Sequence, residues 1–277
     1  MAMIDRTERG GGRPAERSRV IRVREGVRSD VPDLLAAEEP LEVRLNGESV
    51  AVTMRTPGHD TELAVGFLLG EGIVRPHQIA NVFECRSDEG DGGVADVKLR
   101  PGEQASGGWQ RNFYATSSCG VCGKASIDAV RVATKAVPDG PVVEHAVLQD
   151  LPDALRSAQR VFDRTGGLHA AGLFTPEGKL EILREDVGRH NAVDKVVGRS
   201  SLDGRLPLHD LVLLVSGRVS FEIVQKALVA GIPFLAAVSA PSTLAVRLAR
   251  EANMTVVGFL RPGGFNVYSR PERVAPL

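Results

Sequence analysis

The sequence predicts an α/β protein: a parallel-rich sheet flanked by helices, with a smaller N-terminal β-containing subdomain. Three observations predict it. From Leu211 onward, short Leu- and Val-rich runs alternate with amphipathic stretches, "LVLLV", "FEIVQKALVA", "FLAAV", "STLAVRLAREA" and "TVVGFL" in order. Those runs lack polar alternation, as strands buried on both faces require. Strands separated by helices imply right-handed crossovers and parallel pairing. The first half instead carries alternating runs around Asn46-Gly47, a dipeptide that favours a two-residue hairpin.

Taken in order, residues 1–18 are polar, rich in Gly and Arg and without apolar period, which predicts a disordered arm. Residues 19–115 form the β-rich part. Within it "LEVRLNGESVAVTMRT" is a hairpin, and "HDTELAVGFLLGEG" is a short helix with Asp60 as N-cap and Gly70 or Gly72 as stop. "SDEGDGGVADVKLRPGEQASGGWQ" is a mobile loop around one strand, and Cys85 in "NVFECRSD" reads as an ordinary strand residue. Residues 116–149 hold a Gly- and Ser-rich loop with "SSCGVCG" and the segment after it. The core spans 150–277. It opens with a helix whose apolar positions Leu151, Ala154, Leu155, Ala158, Val161 and Phe162 recur at 3–4 spacing, capped by Asp150 and stopped by Gly166. "LHAAGLF", the turn "TPEGK" and "LEILRED" then read as a hairpin, and "RHNAVDKVVGRS" as a helix.

In an open parallel sheet, ligands sit at the carboxyl ends of the strands. Three loops leave those ends: Ser216–Ser220, Ser239–Thr243 and Arg261–Gly264. The first two lead into helix N-termini, where free N–H groups and the positive dipole end suit phosphate. Ser216, Gly217, Arg218 and Ser239 line them; Gly263 and Gly264 allow close backbone approach, and Arg218 and Arg261 add charge-assisted donors. A bland alternative is that Ser and Gly merely cap helices. The stretch "REDVGRHNAVDK" is densely charged, and the start of its helix can aim Asp186, Arg189 and His190 at one site; the alternative is a solvated face of weak ion pairs.

Cys119 and Cys122 form a C-x-x-C between glycines. Structural zinc needs two further ligands at suitable spacing, and no second C-x-x-C is present. His169 opens "HAA", but a zinc deaminase needs H-x-E, and Ala171 stands where that Glu would be. The flanks lack the apolar and proline dressing of a thioredoxin-type motif, and they are too polar for two buried thiols. A thiolate held near a helix N-terminus and Lys124 fits a nucleophile that accepts and donates sulfur.

Bulk properties narrow the class. The 277 residues are 43% hydrophobic and 25% charged, with a net charge of −1. That is ample for a buried core and gives no global field toward nucleic acid or anionic lipid. No uninterrupted 18-residue apolar run or apolar N-terminal leader occurs, so no membrane span or secretory signal is expected. Three cysteines in such a chain predict a cytoplasmic protein without a disulfide scaffold.

The stretches "EEPLEVRLNGESVAVTMRTPGHDTELAVGFLLGEGIV", "SSCGVCGKASI", "GLHAAGLF", "REDVGRHNAVDKVVG", "SGRVSFEIVQKAL", "IPFLAAVSAPSTLAVRLARE" and "TVVGFLRPGGFNVYS" resemble the FdhD family of formate dehydrogenase accessory sulfurtransferases, from about residue 38 to the C-terminus. The resemblance implies a cytidine-deaminase-like core in a homodimer. It also implies that a cysteine desulfurase loads sulfur on the C-x-x-C as a persulfide, with Cys119 as carrier; as chemistry, Cys122 could resolve the persulfide or relay the sulfur. The recipient would be the molybdenum cofactor, bis(molybdopterin guanine dinucleotide), bound through Phe259, Leu260, Arg261, Pro262, Gly263 and Gly264 and destined for formate dehydrogenase. His169, Asp186, Arg189 and His190 would support the site, with no resident metal. An insertion chaperone without sulfur transfer is the alternative.

Overall fold

A computed structural model describes residues 12–86, 92–106 and 136–276. The chain opens with a two-stranded ribbon, β1 (Ala15–Arg24) antiparallel to β2 (Val27–Ala36). The turn residues Glu25 and Gly26 both have positive φ, as a tight hairpin of matching twist requires. β1 therefore begins inside the stretch read as a disordered arm. The β-branched run starts only at Val20, but β2 supplies a pairing partner all the way back to Ala15.

β3 (Glu39–Leu45) and β4 (Glu48–Arg55) form the expected hairpin, with Asn46 and Gly47 in the left-handed region. α1 (Asp60–Gly70), β5 (Ile79–Arg86) and β6 (Gly93–Leu99) follow. The four strands order as β4-β3-β6-β5, and their inward residues Leu41, Val43, Leu45, Ala95 and Val97 pack on α1 in one core cluster. Asp60 is not the N-cap of α1. His59 takes that place with φ +61, and Asp60, the first helical residue, turns inward to the buried Arg55. Its oxygens accept from Nε at 2.9 Å and Nη2 at 2.6 Å.

The single helix expected from Asp150 is two: α2 (His145–Ala158) and α3 (Arg160–Thr165), broken at Gln159. α2 starts ahead of Asp150, inside the segment grouped with the cysteine loop. Its first turn has no side-chain cap to announce it, and Pro152 lies inside the helix. Gly166 ends α3 with φ +68, as expected.

The remaining elements match the sequence closely: β7 (His169–Phe174), β8 (Leu180–Asp186), α4 (Arg189–Leu202), β9 (Val212–Val215), α5 (Phe221–Val229), β10 (Phe234–Ala237), α6 (Thr243–Glu251) and β11 (Thr255–Arg261). The sequence missed β12 (Gly264–Ser269), which turns "RPGG" into the tip of a β11–β12 hairpin rather than a crossover loop. Pro262 and Gly263 make the turn, with Gly263 at φ +91. The sheet order is β12-β11-β10-β9-β7-β8, and only the β9–β10 and β10–β11 pairings are parallel. The sheet is thus mixed, not parallel-rich: short hairpin turns at both flanks force antiparallel pairing there.

Both faces of its centre are buried. Leu213, Val215, Leu235, Ala237 and Val256 pack in the cluster that includes α1, α4 and α5, whereas Val212, Leu214, Phe234 and Ala236 pack on Leu148, Leu151 and Leu155 of α2. Burying each large side chain is worth roughly 1.5–3 kcal/mol. The layers run four-stranded sheet, helices, six-stranded sheet, α2, so the N-terminal strands share the core rather than close one of their own. Among the described residues no helix is long and apolar enough to cross a membrane.

Candidate functional site

The carboxyl ends of β9 and β10 meet where the sequence reading placed a ligand. The loop after β9 and the loop after β10 are stitched together: Val219 N–H donates to Ala240 O at 3.1 Å, and Ser242 N–H to Val219 O at 2.9 Å. The end of β11 joins them, since Phe259 N–H donates to Ser239 O at 3.1 Å. Ser216 is tied to β7, accepting from Ala170 N–H at 2.9 Å through Oγ while its own N–H donates to Ala170 O.

β7 begins at this edge with His169, paired in the ladder with Asp186 at the end of β8. α4 starts beside it and brings Arg189. Gly217 closes the group: a Cβ there would stand 3.4 Å from Arg189 Cβ and Cδ and from His169 Nδ1. Burial lowers the His169 pKa, the Arg189 charge lowers it further, and Asp186 opposes them. The imidazole is therefore held toward its neutral form. Arg189 Nε is shielded from solvent and has no hydrogen-bond acceptor among the described residues. Two basic side chains thus flank a glycine turn next to the N-terminus of α5, a place that favours an anion.

The other residues proposed from the sequence divide. His190 Nε2 lies 3.1 Å from Ser220 Oγ, the N-cap of α5, and so helps position that helix start. Arg218 is exposed and free to reach a ligand. Phe259 has φ +54 at an irregularity in the β11–β12 ladder, and its ring is more than a third exposed. Such a backbone state is costly for a bulky residue and turns the side chain outward. Arg261, Pro262 and Gly263 are exposed at the hairpin tip, with Gly264 half-buried beside them.

Two expectations need correction. Leu260 is fully buried in the core cluster under α2, so only its backbone can face a ligand. Asp186 is fully buried and its carboxylate is committed. One oxygen accepts from Lys195 Nζ at 2.7 Å and Thr56 N–H, the other from Gly188 N–H and Asn191 Nδ2. It anchors the start of α4 and has no lone pair to spare for a ligand. The sequence missed Lys195, Asn191 and Thr56 as its partners; the i, i+5 and i, i+9 spacings from Asp186 cross a turn and carry no helical signal. Cys119 and Cys122 lie outside the described residues. Cys85 sits exposed on β5, in a cavity of about 1120 Å³ at the base of the β1–β2 ribbon.

Residues 36–275 match the model of the FdhD/NarQ family. A protein of Streptomyces avermitilis named Sulfur carrier protein FdhD is 57% identical over 273 residues, covering 95% of this chain and 97% of its own. A protein of the same name from Sulfolobus acidocaldarius is 41% identical, covering 92% and 97%. A crystal structure from Desulfotalea psychrophila, assigned as a formate dehydrogenase accessory protein, superposes with a TM-score of 0.74 at 26% identity, covering 94% of this chain and 99% of that one.

Proposed function

The chain belongs to the FdhD/NarQ family, and from that premise we propose that it carries sulfur to the molybdenum cofactor of formate dehydrogenase. The observation that carries the reading is the sheet edge. His169 and Arg189 flank Gly217, with a buried guanidinium nitrogen lacking an acceptor, in a chain whose relatives are named as sulfur carriers. A guanine dinucleotide brings a pyrophosphate suited to that gap. Arg189 and the free N–H groups of α5 bind it, Gly217 admits it to the backbone, and Arg218 closes from solvent. An anion also favours the charged imidazolium, so bound pyrophosphate raises the His169 pKa.

Cys119 accepts the sulfur. Its thiolate attacks the terminal sulfur of a cysteine desulfurase persulfide; the new S–S bond forms as the donor's S–S bond breaks and the donor leaves as thiolate. Delivering sulfide from the persulfide takes two electrons, and Cys122 supplies them. Its thiol attacks Cys119, forming the Cys119–Cys122 disulfide and releasing hydrogen sulfide, which replaces an oxo ligand of the substrate molybdenum as water leaves.

The test is an intact mass after incubation with a cysteine desulfurase and cysteine. A gain of ~32 Da, one sulfur, that disappears in Cys119→Ala supports the reading. A wild-type protein that gains nothing refutes it. Formate dehydrogenase activity that survives Cys119→Ala would instead identify an insertion chaperone.

A further inference from the structure

We propose that the outer edge of β1 pairs with β1 of a second copy, joining two ribbons into one four-stranded antiparallel sheet across a two-fold axis. The inference is independent of the sulfur-transfer reading, and the ribbon strands up to Leu35 lie ahead of the residues 36–275 that match the family. The ribbon is a sheet of two strands, and it is β2 that packs on α3. A lone two-stranded ribbon is marginal in water, and three or more strands are needed for independent stability. Ile21 and Val23 nevertheless stand more than half exposed on one of its faces. The two edges of the ribbon differ. The two-residue turn Glu25–Gly26 makes Arg24 and Val27 a hydrogen-bonded pair, and the pairs alternate from there. Arg19 and Pro32 are therefore a non-hydrogen-bonded pair, with their backbone groups pointing away from each other. The missing N–H of Pro32 thus falls on the outer edge of β2, where a strand tolerates it, and it blunts that edge against further pairing. On β1 the same alternation turns the N–H and C=O of Arg17, Arg19, Ile21 and Val23 outward. That row has no proline, and no strand lies beside it among the described residues.

The charges on β1 select a second β1 as the occupant. Outward groups meet outward groups only in alternate registers. Of the two such registers that overlap the strand most, one centres on Arg19 and sets two guanidinium groups directly against each other, which is unfavourable. The other centres on Val20. It sets Val20 on Val20, Arg19 on Ile21, Arg17 on Val23, Ser18 on Arg22 and Glu16 on Arg24 of the second copy. No like charges are opposed, and each glutamate meets an arginine. Val20 is already paired with Val31 across the ribbon, so the two-fold axis gathers four valines in one cross-strand row. The strand is self-complementary in this register, which a two-fold interface requires.

Sedimentation equilibrium of the full chain, with cysteine cross-linking, tests this. The wild type should be a dimer. Arg19→Pro repeats on β1 what Pro32 does on β2: it removes an outward N–H and leaves the β1–β2 bonds in place. Two donors are lost per dimer, so association should weaken about tenfold or more. Val20→Cys should give a disulfide-linked dimer under mild oxidation, because directly opposed Cβ atoms of a non-hydrogen-bonded pair lie about 4.5–5.5 Å apart. Arg22→Cys should not, since its two copies stand roughly 13 Å apart along the strand in this register. The wild type gives the background from the native cysteines. A thermal melt reports whether Arg19→Pro is folded, and the two cysteine variants decide the question without it. A monomeric wild type, an unchanged dimer constant in folded Arg19→Pro, or a Val20→Cys chain that cross-links no better than Arg22→Cys overturns the proposal.

Discussion

The seam between α1 and α4 and the edge of the six-stranded sheet draw on the same twelve residues, Arg184–Lys195, and treat charge in opposite ways. In the seam every buried charge has its counter-charge. Glu62 accepts from Arg184 Nε and Nη2 at 2.5 and 2.7 Å; burial pushes its pKa up, but Arg184 and His59 overcome that and hold the carboxyl at about 2. Asp186 meets Lys195, and Asp194 meets Lys226 Nζ at 2.7 and 2.9 Å. At the edge, His169 and Arg189 face each other across Gly217, and a shielded guanidinium nitrogen has no acceptor. Charge that is paired in the interior specifies which helix packs where. Charge left unpaired around a glycine turn is available to a ligand. The helix period separates the two roles: Arg189 leads toward the edge, and Asp194 and Lys195 lie more than a turn later, facing the interior.

The seam should break most completely through its glycines. A Cβ on Gly66 would coincide with the carbonyl of Asp194, and one on Gly198 with the carbonyl of Glu62, so neither clash can be relieved by moving a flexible side chain. Gly66→Ala should cost at least ~3 kcal/mol, the upper end of ordinary overpacking, or prevent folding. Urea denaturation measures it, and a midpoint close to that of the wild type would mean that α1 and α4 can separate freely.

Next in size is Lys195→Met. It leaves the Asp186 carboxylate buried without its cation and removes the donor to Thr56 O. The expected loss is about 3–5 kcal/mol. Adding Asp186→Asn to it should recover part of that loss, because a neutral amide tolerates burial. If the double variant is no better than Lys195→Met, the pair is not the source of the effect.

The division of "REDVGRHNAVDK" shows where sequence legibility ends. The strand and helix alternation after Leu211 was readable because periodicity follows from burial, and each run is buried on the face its spacing implies. The meeting of the two post-strand loops was readable because strand polarity fixes which loops share an edge. The role of Asp186 was not, because its partners Thr56 and Lys195 come from different elements and only tertiary packing joins them. Asp60 has the composition of an N-cap, and nothing local indicates that Arg55 will be buried beside it. β12 escaped notice because "RPGG" suits a loop and a tight turn equally, and Pro152 inside α2 hides a helix that begins at His145.

A third prediction uses pH. Burial pushes Asp194 up to about 6, with Lys226 opposing and Glu71 and Asp186 assisting. A folded pKa above the unfolded value of about 3.8 means that the folded state holds the proton more tightly. This contribution is therefore full below pH 3.8 or so and is lost as pH rises to about 6, a change of order 2–3 kcal/mol. Glu62 has the opposite sign: its contribution is present above about 4.5 and is lost as pH falls through about 2. Denaturation midpoints from pH 4 to 6.5 should show a downward slope in the wild type that is missing from Asp194→Asn. The same slope in both would place the buried proton elsewhere.

The smallest stability effect is expected at the edge. Arg189→Met keeps the aliphatic stem against Gly217 and removes a guanidinium whose Nε bonds to nothing among the described residues. Stability should move by less than ~0.5 kcal/mol, as for substitutions outside a satisfied network. Pyrophosphate affinity should nevertheless fall about tenfold, because a charge-assisted donor is lost. The upward shift of the His169 titration on adding pyrophosphate, followed by its ring proton resonances, should shrink with it. The comparison with Lys195→Met is then direct: two cations of one helix, one whose loss destabilises the fold and one whose loss weakens a site. If Arg189→Met were as destabilising as Lys195→Met while binding stayed intact, the edge would be a second structural seam.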